Sequence, residues 1–171
     1  MQASPIQTRA ILYRRVNVSP HLTDKGEIDT NLHGPDFQWE GVKLQVKTGT
    51  AVEATSEVDP TGFLVSLNVQ ISNKDGKTCP YVIDIELLGI LSVSPKLAPA
   101  RREDLATVNG LAIVYSATRE LITNLTSRME YGPLVLPGVN FADHASIPER
   151  QVAAISDSEI KQQIPTQKDE T

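Results

Sequence analysis

Residues 63–71 read Phe63-Leu64-Val65-Ser66-Leu67-Asn68-Val69-Gln70-Ile71. Phe63, Val65, Leu67, Val69 and Ile71 recur at every second position, and Ser66, Asn68 and Gln70 fill the gaps, with Leu64 as the single apolar exception. Successive side chains of an extended chain point to opposite faces, so this is a strand with one dry and one wet side. Asn73-Lys74-Asp75-Gly76 follows, and its Asp-Gly step supplies the positive-φ residues of a tight reversal. Tyr81, Ile83, Ile85 and Leu87 then resume the alternation, which predicts an antiparallel hairpin.

Upstream, Val42, Leu44 and Val46 interleave with Lys43, Gln45 and Lys47, a pattern that runs on to Val52 before Asp59-Pro60-Thr61-Gly62 breaks it. The spacing predicts a third strand. A fourth, Ala10 to Val18, alternates less cleanly through Leu12, Val16 and Val18, with Arg14 in the apolar register. Between these two, His21 to Phe37 is rich in Asp, Gly and Pro and follows neither period, as expected of a long exposed loop.

After Pro95 and Pro99 the period becomes helical: Leu105, Val108, Leu111 or Ala112, Tyr115, Ile122, Leu125 and Met129 recur three or four apart. Asp104 stands where a cap would, and Gly132-Pro133 predicts an end near Tyr131. Ile113, Val114 and Leu121 widen the apolar stripe beyond what one sheet covers, which points to a second contact such as a partner subunit. The expected class is α+β: a four-stranded antiparallel sheet followed by a long helix, one domain over residues 1–147. Residues 148–171 form a tail in which Val152, Ile155, Ile160 and Ile164 predict at most a weak helical segment, then disorder.

Composition narrows the function. The chain has 171 residues, enough for one domain, and with 40% hydrophobic residues it can bury a core. Asp and Glu outnumber Lys and Arg by 21 to 16, and the basic pairs Arg14-Arg15 and Arg101-Arg102 are isolated, which argues against nucleic acid as partner. A single cysteine, Cys79, excludes an intrachain disulfide and favours a reducing compartment. Arg9 and Arg14 interrupt the N-terminus before any signal-like apolar run, and no uncharged stretch reaches spanning length, so the expected location is the cytoplasm, without membrane insertion. The sequons at Asn17 and Asn124 fall inside periodic segments and read as chance.

The residues offer little chemistry. Cys79 abuts Pro80 at the mouth of a strand, and His21, His33 and His144 lie in irregular segments without the close pairs that hold zinc. Glycines stand singly at turns, so no phosphate loop or dinucleotide fingerprint exists. No enzymatic role, cofactor or metal is expected.

From the middle of the helix the chain reads Arg119-Glu120, Ile122-Thr123, Ser127-Arg128, then Tyr131, Leu134, Leu136 and Val139-Asn140-Phe141. This ungapped run resembles the SecB family of protein-export chaperones. Trp39 ahead of Val42-Lys43-Leu44, and Gly89-Ile90 closing the strand that starts at Tyr81, extend the resemblance over most of Ala10 to Phe141. The resemblance implies a homotetramer, a dimer of dimers with long helices sandwiched between sheets, which holds unfolded or precursor polypeptides in surface grooves. It places the peptide-binding surface near Trp39, Leu44, Phe63, Tyr81, Leu134 and Phe141, and the subunit interface near Leu111, Tyr115, Leu121, Ile122 and Leu125.

The sequence also departs from that family. Members that deliver precursors to the SecA motor carry an acidic sheet surface. Asp84 fits such a partner contact, but Arg15 and Ser19 stand where further acids are expected. Three readings follow: a divergent export chaperone, a solitary chaperone devoted to one client such as an antitoxin, or a scaffold that keeps the fold without client binding.

Overall fold

A computed structural model describes residues 4–53 and 59–145. The elements run β1 Ile6–Pro20, β2 Gln45–Val52, β3 Gly62–Ile71, β4 Tyr81–Val93 and α1 Pro99–Thr126, with a short 3-10 turn at Ala142–His144. The four strands form one antiparallel sheet in the order β1-β4-β3-β2, and α1 packs on one face, so the α+β class expected above is what forms. The expected C-terminal helical segment lies outside the described residues.

The alternation in β3 and β4 decides which face is covered. Phe63, Val65, Leu67 and Val69 of β3 and Ile83, Ile85, Leu87 and Leu91 of β4 are all 0% exposed beneath the helix, whose Ala106, Leu111, Val114, Tyr115 and Ile122 complete the core. At about 25 cal/mol per Å² of apolar surface, this layer is the main stabilising contact of the fold. Two glycines let it close. A Cβ at Gly89 would lie 2.6 Å from Val114 Cγ2, and one at Gly110 would lie 2.5 Å from Leu91 Cδ1.

The irregular alternation of β1 comes from two bulges, between Thr8 and Ala10 and between Tyr13 and Arg15. Each inserts an arginine, Arg9 or Arg14, and shifts the following residues to the other face. Leu12 therefore pairs with Leu88 on the outer face, while Val16 and Val18 pair with Ile85 and Ile83 on the helix side. The apparent placement of Arg14 in the apolar register is thus removed by the backbone.

Other boundaries differ from expectation. β2 starts at Gln45, because Val42 makes only an isolated bridge with Gly76. The β3–β4 connection is a longer loop over residues 72–80, with positive φ at Asn73 and Gly76, and the Asn73 side chain closes it by donating to the Cys79 carbonyl (2.7 Å) and accepting from the Cys79 N–H (2.9 Å). β4 continues past Gly89-Ile90 to Val93. Asp104 does not cap the helix: α1 starts at Pro99, a residue suited to a first turn because it lacks the N–H that would go unpaired there. The helix ends at Thr126, and Ser127 to Gly132 form turns instead.

Within the segment from His21 to Phe37, Leu22 bridges Ile28, Leu32 packs against the core and Gly34 is buried, so it is an ordered structure rather than a wholly exposed loop.

Candidate functional site

The helix carries a row of polar groups that binds the chain emerging from it. Tyr115 Oη donates to the Pro137 carbonyl (2.7 Å), Arg119 Nε to Leu136 (2.7 Å) and Thr123 Oγ1 to Leu134 (3.1 Å), while Thr126 Oγ1 accepts from the Leu134 N–H (2.8 Å). Residues 134–137 are thereby held as an extended strap antiparallel to α1. Leu134, Leu136 and Phe141 anchor it in the core, and Phe141 stands edge-on to Tyr115 with centroids 5.7 Å apart. Much of the run from Arg119 to Phe141 thus has a plain structural cause: it builds and fastens the strap.

Between Leu134 and Leu136, Val135 faces outward, 45% exposed, and beyond the strap Val139 is 38% exposed. Trp39 comes to the strap from the other side, its indole N–H donating to the Val135 carbonyl at 3.0 Å. Phe37 meets Trp39 edge to face at 5.3 Å, and Lys77 covers the Phe37 ring at 4.8 Å while donating to the Gln38 carbonyl at 2.6 Å. Val42 and Leu44 continue this half-buried surface toward β2. The result is an apolar shelf: Phe37, Trp39, Val42 and Leu44 beside Val135.

The residues expected to bind peptide divide between shelf and core. Trp39 and Leu44 lie on the shelf, half-buried. Phe63, Tyr81 and Leu134 are 0% exposed and Phe141 4%, so they belong to the core rather than to the surface. Phe63 and Tyr81 also stand at opposite ends of the sheet, since Phe63 pairs with Leu91 while Ile71 pairs with Ile83. Phe37, Val42 and Val135 were missed by sequence reasoning. Phe37 closes an aperiodic stretch and Val135 lies between two core leucines, so neither carried a periodic signal.

The residues expected at a subunit interface divide similarly. Leu111, Tyr115 and Ile122 face this chain's own core, at 1%, 4% and 0% exposure, whereas Leu121 and Leu125 remain half-buried on the helix flank. On the same side of the sheet, β1 leaves Tyr13 57% and Val16 44% exposed, and among the described residues β4 is its only strand neighbour.

Asp84 points to the outer face with Glu86, and the local cations come from the second bulge. Arg15 donates to Asp84 Oδ2 at 2.9 Å and also bonds Glu86, Arg14 lies 3.7 Å from Glu86, and Asn68 donates to the other Asp84 oxygen at 2.9 Å. The Arg15 guanidinium is held further above its ordinary range, first by the bond to Glu86 and then by the charge of Asp84. This chain satisfies its own acidic pair.

The nucleophile candidates are unsuited to chemistry. Burial pushes the Cys79 thiol up to about 11, and His144 stacks on Phe141 at 5.9 Å, away from the thiol's strand end. Burial likewise raises the Tyr81 and Tyr115 hydroxyls, keeping both as neutral donors to main-chain carbonyls. Among the described residues no group of three His, Cys, Asp or Glu side chains is placed to hold a metal ion, and no helix is long and apolar enough to cross a membrane. A separate cavity of about 780 Å³ lies between Ser4–Gln7, Thr61 and Ser92–Leu97, and none of the expected site residues lines it.

The model of the family described as preprotein translocase subunit SecB matches residues 34–145. The chain belongs to the SecB family. The match takes in the shelf, the strap, three of the strands and the helix, and leaves out β1 and residues 21–33. An uncharacterised protein of Methanocaldococcus jannaschii is 25% identical over 104 residues, 60% of this SecB-family chain; the chain spans 66% of that relative, just under two thirds. Two solved structures align with the chain. A protein of unknown function from Streptococcus agalactiae aligns with a TM-score of 0.53 at 10% identity, over 80% of this chain and all of that one. The SecB-like chaperone Rv1957 of Mycobacterium tuberculosis, in complex with a peptide from the HigA1 antitoxin, aligns with a TM-score of 0.48 at 20% identity, over 79% of this chain and 91% of that one.

Proposed function

We propose that this SecB-family chain is a chaperone that holds unfolded polypeptides and catalyses no reaction. The observation that carries the reading is the shelf: two aromatic side chains and two aliphatic ones, half-buried on a rigid support, beside a strap whose Val135 faces outward. Such a surface takes up apolar side chains without reading their sequence, and several weak contacts along one client sum to tight binding. Assembly into a homotetramer would multiply the sites, and the flank formed by Leu121, Leu125, Tyr13 and Val16 supports that assembly, as does the open edge of β1.

Trp39 is the only tryptophan and sits on the shelf, so its emission reports on the site directly. The expected result is suppression of aggregation of a chemically denatured test protein, with a Trp39 emission change on adding the unfolded chain but not its folded form. Unchanged aggregation and an unchanged spectrum would reject the reading.

Which clients are held depends on the outer face. The closed Arg15–Asp84–Glu86 cluster favours a chaperone devoted to one client, such as an antitoxin, over one that hands precursors to SecA through an acidic surface. Like-signed charge at that contact would repel a basic partner. Export of precursors predicts that purified SecA binds the tetramer, whereas a dedicated chaperone predicts no binding and one protein recovered from the host lysate. A scaffold on the same fold predicts that only folded proteins are recovered.

A further inference from the structure

We infer that Asp75-Gly76 is a site of spontaneous isomerisation in the folded protein: the Asp75 carboxyl closes on the Gly76 nitrogen through a succinimide and reopens as isoaspartate, which loosens the loop that braces the shelf. The modification stands whether or not the chain holds unfolded polypeptides, and so goes beyond that reading.

Two steps in the sequence set an aspartate or asparagine side chain directly before a glycine nitrogen, Asp75-Gly76 and Asn109-Gly110. Such steps close readily, because glycine has no Cβ to shield its nitrogen from the preceding side chain. Closure also requires that the nitrogen stand outside a hydrogen-bonded ladder and that the backbone be able to turn toward the side chain. The fold separates the two steps on that condition.

Asn109 and Gly110 lie inside α1, Pro99–Thr126, where the Gly110 N–H is committed to the Ala106 carbonyl one turn back. Gly110 is also buried against Leu91 and Val65. Asp75 and Gly76 are instead exposed, in the connection over residues 72–80. Gly76 has a left-handed φ of 79. The hydrogen bond beside its bridge to Val42 comes from the next residue, Lys77, whose N–H donates to the Gly41 carbonyl at 2.8 Å, so that bond does not engage the Gly76 nitrogen. Asp75 Oδ2 lies 3.5 Å from Lys43 Nζ, but the two side chains are 70% and 65% exposed, and a pair so screened by water does not fix the carboxyl in place.

The step balances without an oxidant or a partner. The Gly76 nitrogen forms a bond to Asp75 Cγ, and a carboxyl oxygen leaves as water, taking the N–H proton and the carboxyl proton. Water then opens the ring at either of its carbonyl carbons. Opening at Cγ restores aspartate. Opening at the main-chain carbonyl carbon leaves a backbone that runs through Cβ and Cγ, one carbon longer, with the former main-chain carbonyl as a carboxylate branch.

The added carbon falls where the packing is tight. A Cβ on Gly76 would already lie 2.6 Å from the Gly41 carbonyl oxygen. Lys77, one residue on, donates through its ammonium to the Gln38 carbonyl at 2.6 Å and covers the Phe37 ring at 4.8 Å. A longer backbone moves Lys77 out of register with Gln38 and Gly41, and residues 37–42 lose their brace. The base of the loop is held separately, by the Asn73 side chain on both main-chain groups of Cys79, so the change stops short of β3 and β4.

The test ages the full chain at physiological pH and temperature beside the same chain unfolded in guanidinium, and locates isoaspartate by labelling with an isoaspartyl methyltransferase and peptide mapping. The folded chain is expected to accumulate isoaspartate at residue 75 and not at residue 109, where asparagine would form it by losing ammonia; the unfolded chain is expected to form it at both. Asp75→Glu, which keeps the charge but would have to close a larger ring, should abolish the signal at residue 75. In aged wild type, amide exchange at residues 37–42 should accelerate on the order of tenfold while β3 and β4 stay unchanged, and aged Asp75→Glu should show neither effect. Reaction at Asp75 slowed by more than about tenfold in the folded chain relative to the unfolded one overturns the inference, since the loop then protects its step as the helix does. Isoaspartate at residue 75 with unaltered exchange at residues 37–42 overturns its link to the shelf.

Discussion

Gly110 of the helix lies against Leu91 of β4 so closely that a Cβ on the glycine would fall 2.5 Å from Leu91 Cδ1 and 2.9 Å from Val65 Cγ2. Alanine is favoured over glycine inside a helix by roughly 0.5–1 kcal/mol, whereas overpacking a closed core costs about 1–3 kcal/mol. The clash wins. Gly110→Ala is expected to lower stability and Gly110→Val to lower it further, measured by urea denaturation with an unchanged m-value. A stabilised Gly110→Ala would mean that helix and sheet stand farther apart than described.

This contact marks where the sequence stops speaking. The two central strands and the helix were legible because Phe63 to Ile71 and Tyr81 to Leu87 alternate cleanly and Leu105 to Leu125 keep a helical period. Residues such as Gly110 and Gly89 matter through a neighbour distant in sequence, and periodicity carries no such information. The same limit applied to the site. Trp39 and Leu44 were named through a family resemblance and fall on the shelf, whereas Phe37 and Val135 depend on how loops meet the strap. The bulges of β1 set another limit, because an inserted residue breaks the period that would reveal the strand's faces.

Arg102, 4% exposed, holds together the helix start and two turns. It donates to the carbonyls of Leu97 (2.6 Å), Pro95 (2.8 Å) and Pro60 (3.3 Å) and pairs with Asp59 at 2.6 Å. Arg102→Leu would take this donor from the three carbonyls, and a loss of about 2–4 kcal/mol is expected by chemical denaturation. Asp59 is 62% exposed at its side chain, so water screens the pair, and in Asp59→Asn the guanidinium keeps its three carbonyl acceptors; that substitution should cost under about 1 kcal/mol. Equal effects from the two substitutions would contradict this division.

Tyr131→Phe removes only the hydroxyl that links His21 and Asp29. The ring remains packed on Tyr81, so global stability should change by about 1–2 kcal/mol at most. The local effect should be larger: amide exchange at residues 22–28 is expected to accelerate on the order of tenfold, while exchange in β3 and β4 stays as in wild type. Uniform acceleration across the sheet would show that the Tyr131 hydroxyl serves the whole fold rather than residues 22–28.

Cys79 provides a stability change with a defined sign. Burial is the main cause that raises its thiol from an ordinary value of 9.0 to about 11, so between those values the folded state keeps a proton that the unfolded chain has lost. Stability is therefore full below about pH 9 and falls as pH rises toward about 11, by roughly 2–3 kcal/mol for this group. Cys79→Ala, which removes the titrating group from a site beside Asn73 and Pro80, should be less stable than wild type at pH 7 through lost packing, and its denaturation midpoint should decline less between pH 9 and pH 11. The raised Tyr81 and Tyr115 hydroxyls contribute a decline of the same sign in both proteins, so the difference between the two curves isolates the thiol. Parallel curves for wild type and Cys79→Ala would mean that the thiol ionises in the folded protein as readily as in the unfolded chain.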